Sequence, residues 1–370
     1  MEENKRLLSL DTLRGFDMMF IMGMAGVITA LCNLFPGGDR CWLATQMSHV
    51  SWEGLRHHDT IFPLFLFIAG ISWPFSYAKQ MANGAGRSQI YRKIIVRGLL
   101  LILFGLIYNG LLNLDLAHVR YCSVLSRIGI SWMFAALLFI NFKPAARAVI
   151  AAALLVGYWL LLRFFPAPDF PQAVWHSVDG NLAGYVDRML IPSHLPYFDG
   201  LMDPEGILSN IPGIVTAMLG MFTGEFARIP EDKISGNKKT LWMLGAAVLM
   251  LVTGLVWSLD FPVIKQIWTS SFVLVVGSYS LAMFAIFYWI IDVKGWNRWT
   301  TFFKVVGMNS ITIYMAQRII NFGSINKFFF SGLAGLCPEP VGKLILAVGY
   351  FMLGWLFLYF LYKKKVFLKI

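Results

Sequence analysis

The chain has 370 residues, of which 58% are hydrophobic, 15% aromatic and only 14% charged. A soluble domain carries about 45–50% apolar and about 25% charged residues, so a soluble globular protein is excluded and an all-α integral membrane protein is indicated. The net charge of +11 gives no reason to expect a nucleic-acid partner, because in a membrane protein it is the placement of the lysines and arginines that carries information.

Ten apolar segments follow in order. They lie near residues 13–35, 59–79, 94–113, 122–141 and 145–163, then 206–226, 240–258, 268–291, 300–320 and 342–361. Each approaches the ~20 residues that a helix needs to cross about 30 Å of hydrocarbon. The first run follows Asp11 without a small-residue cleavage site, and so reads as a retained anchor. An even number of spans puts both termini on one side. With the N-terminus inside, Arg14, Lys79, Arg87, Arg92, Lys93 and Arg97 share that side with Arg228, Lys238, Lys239, Lys294, Lys304 and Lys363 to Lys365. The positive-inside rule favours this orientation. Residues 1–370 are expected to form a single membrane domain embedded among lipids, with no internal repeat.

The outer connections, about 36–58 and 164–205, then hold Glu53, Asp169, Asp179, Asp187, Asp199, Asp203 and Glu205, with Asp59 at the outer start of the next segment. In the longer one, Trp175, Tyr185, Tyr197 and Phe198 argue for a packed lid. Cys32, Cys41, Cys122 and Cys337 make no CxxC or Cys/His spacing, so no metal is expected. Cys32 and Cys41 are close enough in sequence to bridge a loop, and the spacing leaves open whether they do.

Five stretches are unusually polar for their surroundings. In the first, Ser9-Leu10-Asp11-Thr12-Leu13-Arg14-Gly15, either Ser9 or Asp11 suits a helix cap and Asp11 can pair with Arg14. The second holds His49, Trp52, Glu53, His57, His58 and Asp59 directly before Ile61-Phe62-Pro63. Here Trp52 suits the membrane interface and Asp59 a helix N-cap. His49 fits no helical pattern, and an imidazole can exchange a proton around neutral pH. In the third, Arg127 lies within an apolar segment, where a charge costs roughly 2.5–3.5 kcal/mol on insertion scales. It calls for an ion pair, with Asp115 or Glu205, or for an anionic ligand. The fourth, Asp203-Pro204-Glu205-Gly206, stands at an outer helix start, and Pro212-Gly213 beyond it suggests a bend or break. The fifth, Gly307-Met308-Asn309-Ser310, serves helix packing or a shared cavity.

In order and spacing, SLDTLRG, HVSWEG-x4-D-x2-FPLFLFIAG, VLSRIGI, DPEGILSNI and GMNSITIY resemble the heparan-alpha-glucosaminide N-acetyltransferase family, the lysosomal transmembrane enzyme and its bacterial relatives. The resemblance covers most of the membrane region. It implies an acyltransferase that carries acetyl from cytosolic acetyl-CoA across the bilayer to the amine of a terminal glucosamine, as on heparan sulfate. By motif match, His49 takes the position of the catalytic histidine. Arg14, Asp59, Arg127, Asp203, Glu205, Asn309 and Ser310 fall on positions that line or support the cavity. The resemblance also implies a homodimer and, for a bacterial member, residence in the inner (cell) membrane with cytoplasmic termini. Two departures stand out: Met24-Ala25-Gly26 replaces an active-site Asn of the lysosomal enzyme, and the large lumenal N-terminal domain is not expected here. His49 would act as general base or carry the acetyl group itself, with Asn309, Ser310 or Arg127 as oxyanion donors. A transporter of a small anionic or sugar substrate, or a membrane acyltransferase using another donor or glycan acceptor, is the alternative.

Overall fold

The computed structural model describes residues 7–115, 118–192 and 195–368, apart from the side chain of Asp39. Among these the chain is all-helical, with an isolated bridge between Glu53 and Ile264 and no strand. Seven helical stretches are long and apolar enough to cross a membrane, which makes this a multi-pass membrane protein.

The first span, Leu8–Cys32, joins α1 (Leu8–Met19) to α2 (Ala25–Cys32) through a π-helical stretch, Phe20–Met24. Gly23 sits there at φ 134°, which a residue with a Cβ adopts only under strain. Helix α1 begins earlier than the apolar run suggested, so Ser9 and Asp11 lie within it and do not cap it. The Ser9 N–H instead donates to Asp292 Oδ2 at 3.3 Å, and Arg14 Nη1 approaches Asp11 Oδ1 at 3.4 Å. A short α3 (Trp42–Gln46) follows on the outer connection. Cys41 Sγ accepts from the Ala44 N–H at its start, and the Cys32 and Cys41 side chains are in contact as thiols.

Helix α4 (His57–Ala82) runs through Pro63 and Pro74 without interruption. After it come α5 (Arg87–Tyr108), α6 (Val124–Asn141) and α7 (Pro144–Phe164). The long connection that follows is packed: its Trp175 and Phe198 lie in one apolar cluster with Tyr158 and Phe261. It contains α8 (Leu182–Leu190), capped by Asn181 Oδ1 on the Gly184 N–H at 2.7 Å. Arg188 ties it to Asp169 at 2.6 Å, and Trp175 lies tilted on Phe261.

Helix α9 (Asn210–Ala227) contains Pro212 in its first turn, where the missing N–H has no intrahelical partner to lose. The break expected at Pro212-Gly213 is therefore not there. Next are α10 (Gly236–Trp257) and α11 (Ser270–Tyr288), whose π-helical extension ends at Val293. The segment expected near 300–320 is two short helices, α12 (Thr300–Gly307) and α13 (Ser310–Ile319), interrupted at Met308-Asn309. Helix α14 (Phe322–Gly335), which the hydropathy pattern did not single out, and α15 (Glu339–Lys363) complete the bundle.

Helices α4 and α9 cross closely and set the frame for the site. A methyl group on Gly220 would stand 2.1 Å from the Phe67 carbonyl oxygen, and one on Gly70 would stand 2.2 Å from that of Ala217. Small residues at this crossing let the backbones touch, which is how helices associate where lipid supplies no hydrophobic drive. Around it, Phe62, Leu66, Trp73, Leu125, Ile128, Trp132, Val215 and Met218 form the largest apolar cluster, shared by α4, α6 and α9.

Candidate active site

The N-terminus of α4 organises a polar cavity of about 380 Å³. Asp59, in the first turn, is fully buried, at 0% exposure. It is not the N-cap, a position held by Arg56, but its Oδ2 accepts from the Arg56 and Val50 N–H groups at 3.2 Å each. That fixes the carboxylate and leaves Oδ1 for His49 Nδ1, 2.6 Å away. His49 is brought there by an irregular stretch after α3, clamped where Arg56 Nη1 donates to its carbonyl at 2.9 Å. Gln46 Oε1 accepts the His57 N–H at 2.9 Å and so ties the end of α3 to the start of α4. Trp52 is no simple interface residue: its Nε1–H donates to the His176 carbonyl of the lid at 2.9 Å.

Two cations that the sequence analysis did not identify complete the cavity. Lys265, on the connection between α10 and α11, places Nζ 3.1 Å from His49 Nδ1 and 3.2 Å from Asp59 Oδ1. Burial draws its pKa below the usual lysine range, while the Asp59 charge and hydrogen bond counter that pull. Arg120 grips Asp203 with Nε at 2.7 Å and Nη2 at 2.6 Å, and Nη2 also reaches Glu205. Burial opposes the Arg120 charge, but the two carboxylates outweigh it and hold the guanidinium ionised, its pKa above the usual range.

Arg127 is buried at 1% exposure, yet its hydrogen-bonding partners are neutral. Its Nη2 donates to the Pro204 carbonyl at 2.9 Å and to Ser209 Oγ, and its guanidinium lies 4.6 Å from the Trp268 ring centroid. The expected salt bridge to Glu205 is made by Arg120 in its place, and Asp115 turns to His118 at 2.9 Å. The Asp203-to-Gly206 stretch precedes α9 as a loop. It is held by Asp187 of α8, whose carboxylate accepts from the Ile207 and Asp203 N–H groups at 2.9 and 3.3 Å. Burial raises the Asp187 pKa to about 6.

Of the residues singled out from sequence, His49, Asp59, Arg127 and Glu205 line this cavity, with Asp203 directly behind Glu205. Arg14, Asn309 and Ser310 are not among the lining residues. Arg14 donates to Ser72 Oγ at 2.9 Å, between α1 and α4. Asn309 Nδ2 donates to the Val366 carbonyl at 3.1 Å, and Ser310 Oγ donates across the helix break to the Gly307 carbonyl at the end of α12. Ser310 does line a small, apolar cavity deeper in the bundle, with Phe62, Leu125, Ile128 and Tyr314.

A third cavity, of about 910 Å³, opens further along α4 and is lined by Trp73, Gln80, Arg92, Lys93, Arg97 and Trp132 among others. Arg97 stacks on Trp132 with its guanidinium 4.2 Å from the ring centroid. Asp59, Phe62, Trp73, Ser76 and Gln80, separated by three, eleven, three and four residues, share one face of α4. That face touches the outer, middle and basic cavities in turn. At 1.5 Å per residue, Asp59 and Gln80 are about 30 Å apart, the thickness of the hydrocarbon core. Among the described residues no three or more His, Cys, Asp or Glu side chains converge as a metal would require.

Comparison with curated proteins agrees with the resemblance in the motifs. The mouse protein named heparan-alpha-glucosaminide N-acetyltransferase is 29% identical over 417 aligned positions, covering 99% of this chain and 60% of its own length. Its human counterpart is 30% identical over 420 positions, with the same two coverages. The chain is similar to both over nearly its whole length and spans about 60% of the length of these relatives. No family model matches the chain.

Proposed function

We propose that this protein is a transmembrane N-acetyltransferase, moving acetyl from acetyl-CoA on the inner side to the amine of a glucosamine-type sugar on the outer side. The observation that carries the reading is the His49–Asp59 pair in a polar cavity on the same face of α4 as a basic, aromatic-walled cavity about one bilayer away. This reading takes the seven apolar spans together with α5, α9 and the α12–α13 pair as ten crossings. Both termini then lie in the cytoplasm of a bacterial cell, and Arg92, Lys93 and Arg97 face the donor.

The residues divide the work. Arg92, Lys93 and Arg97 suit the phosphates of the CoA nucleotide, and the stripe on α4 guides the pantetheine arm outward. At the outer end, Asp59 takes the Nδ1–H of His49 and leaves the Nε2 lone pair for chemistry. Both routes open to such a ring start from that neutral tautomer: removal of a proton from the acceptor ammonium, or attack on the thioester carbonyl. The tetrahedral oxyanion needs a donor, and the buried Nε–H of Arg127 has no partner. Glu205 and Tyr197, which line the same cavity, suit the ammonium and ring face of an amino sugar. Asn309 and Ser310 donate to the Val366 and Gly307 carbonyls and do not line this cavity, so the oxyanion is assigned to Arg127. A homodimer, suggested by the family resemblance, belongs to the same proposal.

The test is direct. Purified protein given acetyl-CoA and glucosamine releases free CoA thiol and N-acetylglucosamine, and His49→Ala does neither while still binding CoA. Acetyl-CoA consumption by the wild type no greater than by His49→Ala would refute the reading.

A further inference from the structure

Lys265 touches both members of the His49–Asp59 pair, and the chain around it is built to hold it there. Gln266 Nε2 donates to the Val50 and Ser51 carbonyls at 3.3 and 3.1 Å, and the Gly54 N–H donates to the Val263 carbonyl at 2.9 Å. The Thr269 hydroxyl closes the turn on the Pro262 carbonyl at 2.9 Å. Trp268 holds a left-handed φ of 53°, which is strained for a bulky side chain. Its ring is fully buried between Phe62 and the Arg127 guanidinium. A connection that is tied, buried and strained in this way fixes a charge in place.

The geometry at Nδ1 limits what that charge does. One ring nitrogen cannot donate to Asp59 and accept from Lys265 at the same time. Asp59 stands closer, at 2.6 Å against 3.1 Å, so the Nδ1–H goes to the carboxylate. The ammonium is then a positive charge beside the ring, bonded to Asp59 Oδ1 at 3.2 Å. Asp59 alone would favour the imidazolium, and a cation at the same range opposes it.

We propose that Lys265 is a positioning residue whose charge opposes that of Asp59 and so favours the neutral His49 ring, with Nε2 open, over the imidazolium that Asp59 alone would favour. This rests on His49 acting as proposed above. Other charged and titratable groups face the ring from every side. His58 packs against it with centroids 4.6 Å apart, and Arg56 bonds its carbonyl. Across the cavity, Arg120 is neutralised by Asp203 and Glu205, and Arg127 is turned to Pro204 and Ser209. The Lys265 ammonium is the opposing charge in direct contact with Nδ1.

The test compares wild type, Lys265→Met, Lys265→Arg and His49→Gln. Two readouts are needed: the pH profile of acetyl transfer, and the pH dependence of His49 carbethoxylation by diethyl pyrocarbonate, read by mass spectrometry. The second reports the neutral ring without turnover. Removing the positive charge favours the imidazolium, so in Lys265→Met the acid limb and the modification midpoint move up by about one pH unit or more. The loss of activity is then about tenfold at pH 6 and shrinks as pH rises. Lys265→Arg keeps both positions near those of the wild type. A uniform loss across pH, or an unmoved modification midpoint, overturns the role of Lys265. Full activity in His49→Gln instead defeats the reading of His49, whatever Lys265 does to the midpoint.

Discussion

Replacing Asp59 by Asn tests the hydrogen bonding around His49 most sharply, because the two carboxylate oxygens have different partners. Oδ2 accepts two backbone N–H groups, from Val50 and Arg56, each at 3.2 Å. An amide nitrogen cannot occupy that place, so the Asn must turn its oxygen toward the backbone and its NH2 toward His49 and Lys265. A donor then faces Nδ1. The ring is driven to the tautomer that carries its proton on Nε2, the wrong one for either a base or a nucleophile. Losing one charge-assisted bond and gaining an adverse contact costs about 3–4 kcal/mol, or about 10²–10³-fold in kcat/KM. The assay is acetyl transfer to glucosamine, with acetyl-CoA binding and the detergent-solubilised elution profile as controls for folding. Activity within threefold of the wild type in a folded, CoA-binding Asp59→Asn protein would refute the reasoning, since no arrangement of the amide satisfies all four contacts.

Two further outcomes follow from the outer loop and the basic cavity. Asp187 has a folded-state pKa of about 6 against an ordinary 3.8, so the folded protein binds this proton more tightly than the unfolded chain does. Stability therefore rises as pH falls through about 6 and levels off near 4, by at most about 3 kcal/mol. Thermal unfolding at pH 5 and pH 8 should show the wild type gaining on acidification and Asp187→Asn gaining less; equal gains would remove Asp187 from the account. At the basic cavity, Arg92→Ala and Lys93→Ala should each raise KM for acetyl-CoA about tenfold at low salt, with kcat retained and the effect fading at high salt. An unchanged KM would place the nucleotide elsewhere.

How much was legible beforehand depended on the distance over which each interaction acts. The helices were readable because burial in lipid demands long apolar runs, and seven of the ten segments expected to span form helices long and apolar enough to do so. His49 and Asp59 stood out because ten residues separate them and an apolar run begins beside them. Arg120 and Lys265 did not, because they sit in irregular connections and meet their carboxylates 83 and 206 residues away. Arg127 was read correctly as buried and charged, but its partners are a carbonyl, a hydroxyl and an aromatic face, which no charge pattern reveals. Pro212 misled because a proline is disruptive in mid-helix and harmless in a first turn, and element boundaries are the least certain part of any sequence reading. Asn309 and Ser310 flank a helix interruption, and the Asn309 amide meets the Val366 carbonyl 57 residues away, a contact that no local pattern reveals.

The central claim is that acetyl crosses from one face of the protein to the other, with the donor confined to the first. It is tested most directly in sealed proteoliposomes holding an amino sugar trapped inside, with labelled acetyl-CoA added only outside. The account predicts N-acetylated sugar in the lumen with the wild type and none with His49→Ala. Product that forms only when donor and acceptor share a compartment would contradict it.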